Sequence, residues 1–117
     1  MDFKPTNLPI ENEYPKLVRD SIPEKIKKDG RDPKVEIIKN DDEYLSYLLK
    51  KMIEESVELE YSLRQGNTQE ELADIFELIY TILELKKWTL EDIIAVQKEK
   101  REKNGGFDKR LLLISKP

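Results

Sequence analysis

Residues 41–64 read DDEYLSYLLKKMIEESVELEYSLR, and residues 68–86 read TQEELADIFELIYTILELK. In the first, Leu45, Leu48, Leu49, Met52, Ser56, Leu59 and Leu63 recur at helical spacing and form one stripe. Asp41 can N-cap this helix, which runs to about Arg64. RQGN interrupts the pattern. Thr68 with Glu71 has capping-box spacing and opens a second helix over about 69–86. That helix is apolar on most sides, as in the centre of a bundle or at a subunit interface. The short connection makes the two antiparallel neighbours.

The flanks extend this plan. Ser21, Pro23 and Gly30 bracket a short helix over 22–29. Thr89 and Asp92 cap a further helix over about 90–103, with Trp88 poised to staple onto Ile93 and Asn104-Gly105-Gly106 ending it. KVEIIK (34–39) and RLLLIS (110–115) are candidate strands, each the other's obvious partner. The expected fold is all-α: an antiparallel bundle of three to four helices with at most a two-stranded β annex. Residues 1–13 read as an arm, and 14–117 as one domain.

Composition narrows the chemistry. The chain has 117 residues, 39% of them charged, with net charge −4 and neither His nor Cys. A near balance of charge argues against a nucleic-acid binder driven by bulk charge. Imidazole bases, thiol nucleophiles and His- or Cys-bound zinc are excluded. Any acid–base or metal chemistry must run on Asp, Glu, Lys, Tyr or water, and carboxylates select hard cations such as Mg²⁺ or Mn²⁺. No apolar run reaches the length of a membrane span, and no signal peptide is evident, so a cytoplasmic protein is expected.

Residues 54–77 hold eight acids against one base, Arg64. With Met52 at the centre of the stripe, Glu55 falls about 60° and Glu58 about 120° to one side, whereas Glu54 points about 160° away. Glu71 and Asp74 lie one turn apart on a line that continues through Leu78 and Ile82. The hairpin therefore brings carboxylates from two helices toward one end. Two readings stand. The acids are solvated helix surface, with Lys51 pairing to Glu55 and Glu71 completing a cap; or a divalent cation relieves their repulsion. Basic residues suit a polyphosphate partner for such a cation. They are Lys16 and Arg19, together with the 98–110 stretch KEKREKNGGFDKR.

Glu54-Glu55-x-x-Glu58 followed by Glu71-x-x-Asp74 resembles the EExxE…ExxD signature of the all-α nucleoside triphosphate pyrophosphohydrolases. That superfamily includes MazG-like enzymes, dimeric dUTPases and phosphoribosyl-ATP pyrophosphohydrolase. YPKLVRDSIPEKI and NGGFDKRLLL are similar to its small house-cleaning branch, so the likeness spans about residues 14–115. The resemblance implies Mg²⁺-dependent cleavage of a nucleoside triphosphate between its α- and β-phosphates, giving a monophosphate and pyrophosphate. It implies Glu55, Glu58, Glu71 and Asp74 as metal ligands, and Glu54 or Glu55 as proton acceptor or orienter of water. Lys16, Arg19, Lys51, Lys100, Arg101, Lys103 and Lys109 become candidate phosphate contacts, with Tyr14 or Phe107 stacking on the base. It also implies a homodimer or homotetramer. The alternatives are phosphoribosyl-ATP as substrate, and a non-enzymatic helical oligomerisation module.

Overall fold

The computed structural model describes residues 14–117, which form four helices: α1 (Ile22–Lys28), α2 (Asp41–Ser62), α3 (Thr68–Lys86) and α4 (Leu90–Asn104). The expected arm, 1–13, lies outside the described residues. The architecture is all-α, and α2 and α3 pack against each other as its centre.

Their register is antiparallel. Near the connection, Ser62 Oγ approaches Thr68 Oγ1 at 3.5 Å. Further along, Glu55 meets Glu71 and Asp74, and at the far end the charges of Asp20 and Glu84 act on Tyr44. Burial first, then those two carboxylates, holds the Tyr44 hydroxyl above its ordinary range.

The buried line of α2 is rotated from the stripe centred on Met52. Leu48, Glu55 and Ser62 are almost fully buried and fall at seven-residue intervals, two turns apart. Leu49, Ile53 and Leu63 are exposed. Glu55 thus sits on the packed line and not at its rim. Val57 and Glu54 are buried as well, on other sides of the same helix. The reason is cover on a second side: the segment before α1 brings Lys16 onto Glu54, something that periodicity along α2 alone does not contain. On α3, Leu78 and Leu83 are buried.

Helix ends fall within two residues of expectation, but three caps differ. Asn40, not Asp41, caps α2: its side chain accepts from the Glu43 N–H at 2.9 Å. Asn67 precedes α3 without a side-chain cap bond, so Thr68 and Glu71 form no capping box. Ser21 likewise stands at the head of α1 without one. The box at α4 forms in full: the Asp92 N–H donates to Thr89 Oγ1 at 3.1 Å and the Thr89 N–H to Asp92 Oδ2 at 2.9 Å.

Residues 34–39 and 110–115 are not strands. Among the described residues neither stretch meets a strand partner, and an unpaired strand has no ladder to stabilise it. Leu111 to Ile114 are left exposed. Helix α4 buries no residue at all, and Trp88 and Val96 stand half-exposed. The Cα radius of gyration is 17.6 Å, whereas a compact chain of a hundred residues has about 13 Å.

Candidate metal centre

Three carboxylates converge where α2 faces the first turns of α3. Glu55, Glu71 and Asp74 each offer an oxygen, and these oxygens lie within 4.8 Å of one another. Glu55 is only 6% exposed. Its Oε2 and the Oε2 of Glu71 are buried with no hydrogen-bond partner. A buried acceptor left orphaned costs about 1–3 kcal/mol, more when charged. The cost is lessened by protonation: burial, a hydrogen bond with Glu71 and the charges of Glu58 and Asp74 push the Glu55 carboxyl up to about 8, against the opposing pull of Lys51.

Two cations reach this cluster from its edges. Lys51 Nζ lies 3.1 Å from Glu54 Oε2 and 3.7 Å from Glu55 Oε1. Arg19 Nη2 donates to Asp74 Oδ1 at 2.6 Å. Lys16 Nζ approaches Glu54 Oε1 at 4.0 Å and lies 5.4 Å from the centre of the Tyr14 ring. Both oxygens of Glu54 are therefore engaged by ammonium groups. Its burial follows from this pairing, since a carboxylate at 8% exposure needs compensating charge.

Beside the acids, a cleft of about 250 Å³ opens between the segment before α1 and α2. Lys16, Lys51, Glu54 and Tyr47 are among its walls. Lys50 also lines it and lies 4.9 Å from the centre of the Tyr47 ring. A cleft walled by three lysines, one of them over the Tyr47 ring, suits an anion that carries a flat ring.

The sequence-derived site is thus assembled in part. Glu55, Glu71 and Asp74 come together. Glu58 is close enough for its charge to act on Glu55 but falls outside the converging group. Tyr14, Lys16, Arg19, Lys51 and Glu54 gather around the acids. Lys100, Arg101, Lys103, Phe107 and Lys109 do not: among the described residues no contact joins them to the cluster. Arg101 pairs instead with Asp108 at 3.0 Å, and its guanidinium lies against the backbone of Gly106, where a Cβ would stand 2.9 Å from Nη1. Among the described residues α2 and α3 are the pair that packs extensively, and α4, which carries these groups or leads into them, buries none of its residues. Tyr47 and Lys50 are the site residues that sequence reasoning missed. Their signal was weak: a Tyr three residues before a Lys, on a helix with three tyrosines and two lysines.

The donor set fits a hard cation. It is all oxygen, two of the oxygens are buried and unpartnered, and the group that binds a proton most tightly would surrender it to a divalent ion. No helix among the described residues is long and apolar enough to cross a membrane. No protein-family model matches the chain, nor does any curated protein or any solved structure.

Proposed function

We propose that this chain is a Mg²⁺-dependent nucleoside triphosphate pyrophosphohydrolase of the cytoplasm, cleaving between the α- and β-phosphates to clear non-canonical or excess nucleotides. The observation that carries the reading is the convergence of Glu55, Glu71 and Asp74 around buried, unpartnered oxygens. The resemblance of EESVE…ELAD to that superfamily supplies the reaction.

Mg²⁺, or Mn²⁺ in its place, would be held by Glu55, Glu71 and Asp74 with Glu58 beside them, and when bound it supplies charge neutralisation on phosphate and a more acidic water. The chain's own groups do the rest. Lys16 and Lys51 line the cleft and present ammonium groups to a polyphosphate, and the rings of Tyr14 and Tyr47 offer flat faces to a base. Of the two candidates for accepting a proton, Glu54 has both oxygens occupied by lysines, whereas Glu55 Oε2 has no partner. We therefore give Glu54 the task of holding Lys51 in place and Glu55, with its unpartnered oxygen, that of holding the cation.

A homo-oligomer accompanies this reading. The chain exposes 10968 Å², against about 6,700 Å² for a compact monomer of 13.9 kDa. Leu72, Phe76 and Tyr80 on α3 are among the uncovered residues. A second copy would cover them, as a homodimer or homotetramer. That surface is also what favours the second reading, a non-enzymatic oligomerisation module.

Pyrophosphate release from a panel of canonical and modified nucleoside triphosphates, with Mg²⁺, separates the two. The wild type is expected to release pyrophosphate, and Asp74→Asn to lose at least about 100-fold while staying folded. Equal release by both proteins, or release without added metal, would remove the cation site from the reaction. No release by either would leave the oligomerisation module.

A further inference from the structure

The Arg19–Asp74 pair occupies one edge of the three-acid cluster. We infer that Arg19 is an internal counter-ion, which a divalent cation must displace from Asp74, and that the displaced guanidinium becomes a clamp for phosphate oxygens. This inference rests on reading Glu55, Glu71 and Asp74 as a cation site.

Arg19 reaches Asp74 across 55 residues of sequence, at 2.6 Å. Its side chain is 56% exposed and that of Asp74 35%, so the pair sits at the mouth of the cluster. The deep part is different. Glu55 is nine-tenths buried and aims Oε2 at no partner, and Glu71 Oε2 is buried and unpartnered too. Among the described residues Lys51 and Arg19 thus neutralise the flanks, while the two buried Oε2 atoms have no hydrogen-bond partner. Lys51, on α2 and mostly buried, stays beside Glu55. Arg19 lies in a non-helical segment and reaches inward on a long, half-exposed side chain, so it can swing at little expense.

Two physical facts make displacement the consequence. A divalent ion held by the three acids would share Asp74 with the guanidinium, and like charges so close would repel. The guanidinium fork that fits a carboxylate also fits phosphate, in the same bidentate manner. Arg19 released from Asp74 stays beside the site, where the anionic ligand of the bound cation arrives. Loading the cation and arming the phosphate clamp then become one event.

Calorimetric titration of the full chain with Mn²⁺, without nucleotide, tests this. Arg19→Gln is expected to bind Mn²⁺ about fivefold more tightly than wild type, or about 1 kcal/mol. Lys27→Gln, which removes an equal charge from α1, is expected to bind as wild type does. Glu55→Gln is expected to abolish binding. Equal or weaker binding by Arg19→Gln, with Glu55→Gln silent, overturns the counter-ion while the cation site survives. Equal tightening in Lys27→Gln also overturns it, by reducing the effect to net charge. No binding by the folded wild type, or binding retained in Glu55→Gln, overturns the cation site itself. In turnover, Arg19→Gln is expected to need less Mn²⁺ for half-maximal rate while its KM for nucleotide rises. Movement of both in one direction would overturn the hand-over.

Discussion

Helices α3 and α4 are neighbours in sequence and opposites in what holds them. Helix α4 opens with a complete capping box, and it buries nothing. Helix α3 opens at Asn67 with no side-chain cap bond, and it contributes Leu78 and Leu83 to the core and Glu71 and Asp74 to the site. A cap fixes where a helix begins. Burial against α2 decides whether the helix has a place in the molecule. The two kinds of information are separate: α4 has the cap without the burial, α3 the burial without the cap, and α2 has both.

The strongest way to break the contrast is to remove the burial. Leu48, at 1% exposure, is the best-packed apolar residue of α2. Leu48→Ala is expected to lower the unfolding free energy by about 3–4 kcal/mol in urea titration. Val96→Ala on α4, where the side chain is 54% exposed, is expected to change the isolated chain by less than about 0.5 kcal/mol. A large, concentration-dependent loss from Val96→Ala would mean that α4 is packed after all, against a second copy.

The site on the packed hairpin carries a pH signature. The Glu55 carboxyl rises from its ordinary 4.5 to about 8 on folding, so between those values the folded chain binds more protons than the unfolded one. Stability is then fully present below about 4.5 and declines as pH rises toward 8, by an amount on the order of 3 kcal/mol. Glu55→Gln is expected to flatten that slope, and millimolar Mg²⁺ to offset it at the alkaline end. Thermal melts at several pH values read both. A stability that climbs with pH over this range would mean that Glu55 is ionised and paired.

The smallest effect sharpens the contrast from the other side. Thr89→Ala removes the cap that defines α4 and is expected to cost about 1 kcal/mol of local helix stability. Because α4 buries no residue, amide exchange should quicken in α4 alone, with global unfolding of the hairpin unchanged.

What could be read in the sequence divides along the same line. Helix spans followed from periodicity and end signals because both are local. The Glu71–Asp74 line and its continuation through Leu78 were legible for that reason. Glu54 was not. On α2 alone it points away from the stripe, and only the arrival of Lys16 from another segment turns that side inward. The Arg19–Asp74 bond and the cleft beside Tyr47 depend on the same crossing. The two candidate strands failed for the converse reason. KVEIIK and RLLLIS have strand composition, but pairing is a meeting of distant segments, and the chain does not bring them together. The basic residues near 98–110 look complementary to the acids in sequence, yet Arg101 finds Asp108 at 3.0 Å instead.

Lys87 closes α3 in the left-handed conformation, at φ 59, with the Trp88 N–H donating to the Leu83 carbonyl at 3.0 Å. From that point α4 extends as a rod of 15 residues, about 22 Å long. A rotation of only about 10° at Lys87 would swing the tip of that rod through about 4 Å, by the same helix rise. One backbone torsion would thus be the pivot of a lever, with Arg101 and the lysines beside it at the end where the travel is greatest.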